Sequence, residues 1–511
     1  MVNFANNLTL HARGEPDKPA LIEGDRTISF AELDALTNRF AGLLDRHGLV
    51  AGDRVLIHAH NTVEFVVAFF GTMKHGAIAA PVNKRLKTED LQRVVGHARP
   101  RLVVTDRSDR DRFAGSGATV LDFDDGADGG EGGGEGGSFW TGLRAQSPQR
   151  PERGAQGDEI ANLLFTSGTT GMPKAAIHTH HMRHAIAGAM ASRFELSRRD
   201  VGLAVSPLFH TGGLSVLCNC IHVGATCVLM PKWDPRAMLA AATGHGVTFA
   251  HFVSTLVVDI TDLPDEAFSG ASPRLRMTWS GGHSVDEWRL AAYERRMGGV
   301  LVQGYTRTEG GVAYHFPHPG LRSFAHNGYP CRDSSELAIH DAVSGGFCPP
   351  GVAGEIVVRG DGVSPGYWEP TGIRRPETLS GGWVRTGDAG FLDDTGALHF
   401  RGRIDHMIKS GGENVFPAEV EQAIIALPEV GNVVVVGTPD PRFGEVVSAL
   451  VVPKGPGLDS EGLRGRLRDR LAGYKIPRRI RFVDELPRLG SGKVDLAQSR
   501  ALLTAVREPE Q

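Results

Sequence analysis

The sequence predicts an α/β fold: a large N-terminal domain of α/β layers with mostly parallel sheets, followed by a small α+β C-terminal domain. Three observations carry that expectation. Short apolar strand-like runs alternate with helical periods through most of the chain. Its 511 residues exceed one ordinary domain of about 100–200 residues. Near residue 400 the alternation gives way to hairpin-like and compact α+β patterning.

Residues 53–81 show the first texture. Arg54-Val55-Leu56-Ile57 reads as a strand, Val63 to Phe70 as a buried helix, and Ala77 to Val82 as the returning strand. A β-α-β unit of this kind implies parallel strands with helices on both faces. The pattern recurs with a helix from Thr88 to His97 before a strand at Arg101 to Thr105, and a helix from Arg236 to His245 before Val247-Thr248-Phe249-Ala250. Residues 126–138 are Gly-rich with scattered Asp and Glu; such a segment buries no core and is expected as a mobile surface loop. Residues 387–400 read as an antiparallel hairpin turning at Asp394-Thr395-Gly396. A helix from Pro417 to Ala426, strands at 431–436 and 446–453, and a final helix from Ser460 to Leu471 then complete a small domain with its own apolar set. The expected division is 1–403 and 404–511.

The stretch richest in chemistry is Ser167-Gly168-Thr169-Thr170-Gly171-Met172-Pro173-Lys174, entered from Leu163-Leu164-Phe165-Thr166. Two glycines let the backbone wrap an anion with its N–H groups exposed, while three hydroxyls and a lysine add donors and one positive charge. This is a clamp for a polyphosphate. It is not the common P-loop, which places Gly directly before Lys and opens a helix. Here Pro173 precedes the lysine and the following residues alternate like a strand as far as Thr179, so the loop is expected between two strands.

Composition excludes several classes. Charged residues nearly balance (55 Lys+Arg, 59 Asp+Glu, net −4), which recommends no nucleic-acid partner. The first residues lack a signal-peptide pattern, and no apolar run approaches the ~20 residues that span a bilayer, so a cytoplasmic protein with no membrane partner is expected. Five cysteines do not make a disulfide scaffold. Cys218, Cys220 and Cys227 flank His222 in an apolar run, where cysteine behaves as a small buried hydrophobe rather than a zinc ligand. His180 and His184 at i, i+4 read as an exposed helix face.

The phosphate loop and four later segments together resemble the adenylate-forming superfamily: acyl-CoA synthetases, peptide-synthetase adenylation domains and firefly luciferases. These are Gln303-Gly304-Tyr305-Thr306-Arg307-Thr308-Glu309, Trp383-Val384-Arg385-Thr386-Gly387-Asp388, Gly402 to Asp405 with Gly411 to Glu421, and Leu486 to Lys493, in family order. The resemblance covers essentially the whole chain and implies a two-step ligation. A carboxylate attacks the α-phosphate of ATP to give acyl-AMP and pyrophosphate, and the thiol of coenzyme A then displaces AMP. It implies roles residue by residue. Thr166, Ser167, Gly168, Thr169, Thr170, Gly171 and Lys174 hold the outer phosphates. Glu309 binds Mg²⁺, a hard cation suited to oxygen ligands, and Thr308 donates to the α-phosphate. Tyr305, beside Gly304, Gly281 and Gly282, stacks on adenine; Asp388 with Arg403 takes the ribose hydroxyls. Lys493 bridges the substrate carboxylate and the α-phosphate, where a cation stabilises developing charge. Asp405 is the hinge of a domain rotation, which brings Lys409, Gly411 and Gly412 to line a thiol tunnel.

The sequence departs from the pattern at Thr306, Arg307, His283 and Ser284. With His210 in Pro207-Leu208-Phe209-His210, residues His283 and Arg307 are expected to edge an acyl pocket suited to a small or aromatic, polar-substituted acid. A carrier-protein thiol, an amine or oxygen as acceptor, a non-carboxylate oxyanion as the activated group, and a nucleotide-binding regulator without turnover stand as alternatives; a homodimer stands open beside a monomer.

Overall fold

The computed structural model describes residues 3–124, 137–149, 157–166, 174–271, 273–281, 287–318, 326–488 and 494–505. The chain divides into two compact units. The first comprises Met1–Leu337 with Val358–Val384, the second Ala338–Val357 with Arg385–Gln511.

The first unit holds two large sheets. One has eight strands, with β1 (Arg54–His58), β2 (Ile78–Pro81) and β3 (Ile160–Thr166) in its parallel centre. β4 (Lys174–Thr179) pairs antiparallel with β3, and the strand Tyr367–Glu369 pairs antiparallel with β4. The β-α-β expectation holds: α1 (Val63–His75) connects β1 to β2 and is buried along its whole length. Thr62 caps its start by accepting from Phe65 N–H, and Gly76 ends it at φ +88°, a backbone state that Gly adopts without Cβ strain. The second sheet has nine strands. Its parallel centre includes Val201–Ala204, Phe249–His251, Met277–Ser280 and β5 (Val300–Tyr305). Two helices beside these sheets matter below: α2 (His180–Arg193) and α3 (Thr211–Val223). Apolar side chains from both sheets and from α1, α2 and α3 form one continuous core.

The second unit begins with a four-stranded sheet that includes β6 (Val384–Leu392) and β7 (Leu398–Arg403), the expected hairpin, with Gly396 N–H closing onto Asp393 O. A five-stranded sheet follows, from β8 (Ile408–Ser410), β9 (Glu413–Val415), β10 (Val430–Asp440), β11 (Gly444–Pro453) and the strand Arg479–Phe482. Helix α4 (Pro417–Ile425) and the helix Ser460–Leu467 cover a core of Val420, Ile424, Val435, Val451, Leu463 and Leu467.

Several sequence expectations need correction. The helix from Ser460 ends at Leu467 and is not the last one: α5 (Leu496–Thr504) follows, capped by Asp495. Ser138, read as part of a mobile loop, lies in the helix Gly137–Arg144, and both its N–H and its hydroxyl donate to Asp122. His180 and His184 do not form an exposed face. His180 is fully buried and its Nδ1 accepts from Phe4 N–H, while the His184 ring packs 5.0 Å from Phe4 and 6.2 Å from His222. The i, i+4 spacing marked the face of α2 that packs inward. Cys218, Cys220 and Cys227 are all buried, and burial pushes the Cys218 thiol up to about 11.

Asp200 ties the nine-stranded sheet together. Its carboxylate accepts from Arg276 Nε at 3.0 Å, from Arg276 Nη2 at 3.1 Å, from Thr248 Oγ1 at 2.8 Å and from Ser197 N–H at 2.8 Å. Burial alone raises the carboxyl, but these bonds and the Arg276 charge outweigh it and hold it below the ordinary Asp value. A depressed folded-state carboxyl contributes stability above the unfolded pKa and loses it as pH falls through the folded one. Asp200→Ala is therefore expected to cost about 2 kcal/mol at neutral pH, a gap that shrinks in acid. Urea denaturation of both proteins at neutral and acidic pH checks this; a pH-independent gap would contradict it.

Candidate active site

The two halves of the first unit meet at Glu309. The segment after β5 is stitched onto β4 and its neighbour strand: Ser364 N–H donates to Glu309 O at 2.9 Å, and Ser364 Oγ donates to Ile177 O at 2.7 Å. His178 Nε2 lies 2.7 Å from Thr308 O. A carbonyl only accepts, so this nitrogen carries the hydrogen. Gly310 and Gly311, both at positive φ (+84° and +74°), let the chain turn away; a Cβ on Gly310 would lie 1.9 Å from Gly362 O.

On this scaffold the Tyr367 hydroxyl donates to Glu309 Oε1 at 2.6 Å. Burial first, then the Glu309 charge, raises the Tyr367 pKa, so the donor keeps its proton. Lys174 Nζ sits 5.9 Å from the Tyr367 ring centroid, and the Arg374 guanidinium covers the same ring at 4.5 Å. Arg307 Nη2 approaches Glu309 Oε2 at 3.7 Å, and the Arg307 side chain is only 10% exposed. The structure thus gathers Lys174, Arg307, Thr308 and Glu309 in one place. In this arrangement the Arg307 charge faces Glu309.

Thr166 ends β3 opposite Lys174, the first residue of β4, so the segment between them joins two antiparallel strands, as its sequence indicates. Ser167, Gly168, Thr169, Thr170 and Gly171 lie outside the described residues, as do Gly282, His283 and Lys493. Gly281 follows the strand Met277–Ser280, whose parallel partner is β5, ending in Gly304-Tyr305. A Cβ on Gly281 would lie 2.7 Å from Thr306 Oγ1, and one on Gly304 would lie 2.3 Å from the Tyr314 ring. Both glycines stand at the C-terminal ends of parallel strands, the edge where open α/β sheets bind ligands. His210 is the exposed residue before α3, its ring 4.5 Å from Phe209. Behind it His251 is buried against Gly212 with Nδ1 3.1 Å from Ser206 Oγ. Burial, then the His210 charge, lowers His251 to about 4.

The second unit carries its own cluster. Gly387 sits at φ +72°, and Asp388 after it pairs with Arg403 across the hairpin, whose register shifts between Ala389 and Gly390. Glu355 accepts from Gly387 N–H at 3.0 Å and from Arg385 Nε at 2.7 Å, and Thr386 Oγ1 accepts from Asp388 N–H at 3.0 Å. Asp388 is thereby fixed with its side chain 6% exposed, 3.6 Å from Arg403 Nη1. Arg403 also forks onto Asp405, with Nε–Oδ1 at 3.0 Å and Nη2–Oδ2 at 3.1 Å. Partial burial raises the Asp405 carboxyl, but the Arg403 fork and then His406 outweigh it and hold it below its ordinary value. Lys409 is exposed in β8, with Gly411 (φ +61°) and Gly412 (φ +90°) forming the turn into β9.

Tyr367, Arg374 and His178 escaped the sequence analysis in the first unit, as did Glu355 in the second. Tyr367, His178 and Glu355 reach partners distant in the chain, and Arg374 meets Tyr367 across a short antiparallel pairing; only the aromatic pair Tyr367-Trp368 after Gly366 hints at a packed edge. Among the described residues no group of three His, Cys, Asp or Glu is poised to hold a metal. A single carboxylate such as Glu309 fits Mg²⁺, which usually keeps several waters and takes one or two carboxylates plus substrate phosphates.

A family profile described as AMP-binding enzyme matches residues 8–368, and one described as AMP-binding enzyme C-terminal domain matches residues 419–493. The chain is 31% identical over 507 residues to the long-chain-fatty-acid–CoA ligase FadD13 of Mycobacterium tuberculosis, covering 97% of each chain. It is 33% identical over 513 residues to the indoleacetate–CoA ligase of Aromatoleum aromaticum, covering 98% of each. Among solved structures, ATP-bound MatB from Rhodopseudomonas palustris superposes with a TM-score of 0.86 at 29% identity, covering 99% of each chain.

Tyr367→Phe removes the bond that orients Glu309 while leaving the ring. The expected outcome is a fall of about 10-fold in kcat/KM for Mg-ATP, the size of one hydrogen bond to a charged group, with little change in Tm. Pyrophosphate release at varied Mg²⁺ checks this; wild-type kinetics would remove Tyr367 from the site.

Proposed function

We infer the activity from one premise: the chain belongs to the AMP-binding enzyme family. It is an AMP-forming acid–thiol ligase using ATP, Mg²⁺ and coenzyme A. In the first step a carboxylate oxygen bonds to the α-phosphorus of ATP, the bond to the β-phosphate bridging oxygen breaks, and pyrophosphate leaves. In the second, a thiol sulfur bonds to the acyl carbon, AMP leaves with the carboxylate oxygen, and the thiol proton is lost. The detour works because AMP is a far better leaving group than oxide. The observation that carries this reading is the Glu309 carboxylate held by Tyr367 with Lys174 over the same ring.

Within the first unit, the loop from Thr166 to Lys174 is assigned to the outer phosphates. Mg²⁺ supplies positive charge on the phosphate oxygens, and Glu309 would hold it. Thr308 is assigned to the α-phosphate; its backbone is fixed by His178. Gly281, Gly282, Gly304 and Tyr305 are assigned to adenine, while His210, His283 and Arg307 border the acyl group. Within the second unit, Asp388 and Arg403 are assigned to the ribose, Lys493 to adenylation, and Lys409, Gly411 and Gly412 to the thiol step. Asp405 is assigned as the hinge. A small or aromatic, polar-substituted acid suits this border, since two imidazoles favour polar partners, while the Arg307 charge is turned to Glu309. Coenzyme A is the assigned acceptor, and a carrier-protein thiol is the alternative.

Pyrophosphate release against a panel of acids, with AMP release compared with and without coenzyme A, tests the reading; silence across a broad panel would favour a regulator. Lys493→Ala is expected to abolish pyrophosphate release yet still convert a supplied acyl-AMP to thioester. Asp405→Pro, which fixes φ, is expected to spare pyrophosphate release and stall thioester formation. Equal loss of both half-reactions in Asp405→Pro would remove it as the hinge.

A further inference from the structure

The strand Gly354–Arg359 lies beside β6 in the four-stranded sheet of the second unit, and one of its residues breaks an apolar run. Ile356 and Val357 are fully buried, and Glu355 before them is only 5% exposed. Withdrawing a carboxylate from water is costly unless it is paired and hydrogen-bonded. Arg385 supplies the counter-charge, with Nε 2.7 Å and Nη2 2.6 Å from Glu355 Oε2. A guanidinium often forks onto both oxygens of a carboxylate. Here Arg385 takes Oε2, and Oε1 accepts from Gly387 N–H at 3.0 Å.

That bond acts on the stretch that carries Asp388. Gly387 stands at positive φ, and a Cβ there would lie 3.3 Å from Arg403 Nη2. Thr386 Oγ1 donates to Ile356 O at 2.6 Å and accepts from Asp388 N–H at 3.0 Å. Glu355 and Ile356, adjacent on one strand, therefore hold three consecutive residues of β6. Asp388 leaves this stretch with its side chain 6% exposed, 3.6 Å from Arg403 Nη1. We propose that Glu355 is a positioning residue for nucleotide binding: through Gly387 N–H it sets the backbone from which Asp388 accepts the ribose hydroxyls. This rests on the assignment of Asp388 to the ribose. The ribose gains no charge as the carboxylate attacks the α-phosphorus, so a contact to it is as strong in the ground state as in the transition state. Loss of such a contact raises KM and spares kcat.

Equilibrium binding of AMP and of 2′,3′-dideoxy-AMP, which lacks both hydroxyls, tests this without turnover. Wild type is expected to prefer AMP by about 10- to 100-fold, the scale of a hydrogen bond to a charged group, and Asp388→Ala to lose that preference. Glu355→Leu, which leaves Gly387 N–H without its acceptor, is expected to lower the preference about 10-fold. Glu355→Gln, which keeps an oxygen acceptor, is expected to retain it. Glu355→Leu combined with Arg385→Leu removes the ion pair as a unit and serves if the single variant folds poorly. A merely structural defect weakens both nucleotides alike and leaves the ratio unmoved. With ATP as substrate, Glu355→Leu is expected to raise KM about 10-fold at unchanged kcat; a fall in kcat at unchanged KM contradicts the proposal. A preference that Asp388→Ala loses but the folded leucine variant keeps overturns the role of Glu355 and leaves the ribose assignment standing. Equal loss in Glu355→Gln overturns the route through Gly387. A wild type without preference, or a preference kept in Asp388→Ala, overturns the ribose assignment and the proposal with it. If no acid is turned over, the ligase reading fails while nucleotide binding still decides the role of Glu355.

Discussion

The hydrogen bond from Tyr367 to Glu309 is the contact on which the candidate site of the first unit depends. Glu309 follows β5 of one sheet, and Tyr367 lies in a late strand added to the other. The strand Tyr367–Glu369 pairs Tyr367 with Ala176 and Trp368 with Ala175, which brings the tyrosine ring within reach of Lys174. A carboxylate with Arg307 3.7 Å away on one oxygen swings toward the guanidinium unless the other oxygen is held. Tyr367 holds it, and the raised pKa of the hydroxyl makes it a donor throughout the physiological range. Lys174 and Tyr367 are thus positioned by strand pairing, and the tyrosine in turn holds Glu309 on the turn after β5.

The same region shows how the fold distributes polar groups in its interior. β3 and β4 are mostly apolar on both faces, as expected of strands covered by helices. Asn162 and His178 interrupt that pattern at one register position, and Arg183 arrives from α2 to meet them. His178 is kept neutral by burial first and then by the Arg183 charge, so its Nε2 hydrogen is available to hold Thr308. Arg183 thus acts on His178 through its charge alone, since Asn162 Nδ2 and His178 Nδ1 make no hydrogen bond that would join the two pairs.

Much of this architecture is legible in the chain. The β1-α1-β2 unit, the strands flanking the polyphosphate loop and the hairpin of β6 and β7 follow from apolar periodicity, because in each case neighbours in sequence are neighbours in the sheet. Lys174 stands out through the Gly- and hydroxyl-rich segment that it closes, whereas Thr166, Thr308, Glu309 and Asp388 stand out only through the family resemblance of the segments that carry them. What escapes is anything set by pairing over long separations. Tyr367 meets Glu309 across 58 residues and Glu355 meets Gly387 across 32, with no periodicity to announce either. His180 and His184 were misjudged for a related reason: an i, i+4 spacing identifies a shared helix face but not its direction.

Arg403 connects the ribose assignment to the hinge. Its guanidinium forks onto Asp405 at 3.0 and 3.1 Å while standing 3.6 Å from Asp388, so two carboxylates compete for one cation. The fork restrains the backbone at Asp405, because Nε and Nη2 bind both oxygens at fixed angles. A rotation at Asp405, the assigned hinge, that carried its carboxylate away would leave Arg403 facing Asp388. The exchange replaces one ion pair with another, so its net cost is smaller than that of exposing an unpaired charge, and it is screened because Arg403 is nearly half exposed. A nucleotide whose ribose hydroxyls donate to Asp388 lowers that carboxylate's demand for Arg403 and favours the fork; release of the nucleotide favours the alternative. On the assignments of Asp405 as hinge and Asp388 as ribose acceptor, hinge state and nucleotide occupancy would share a single arginine.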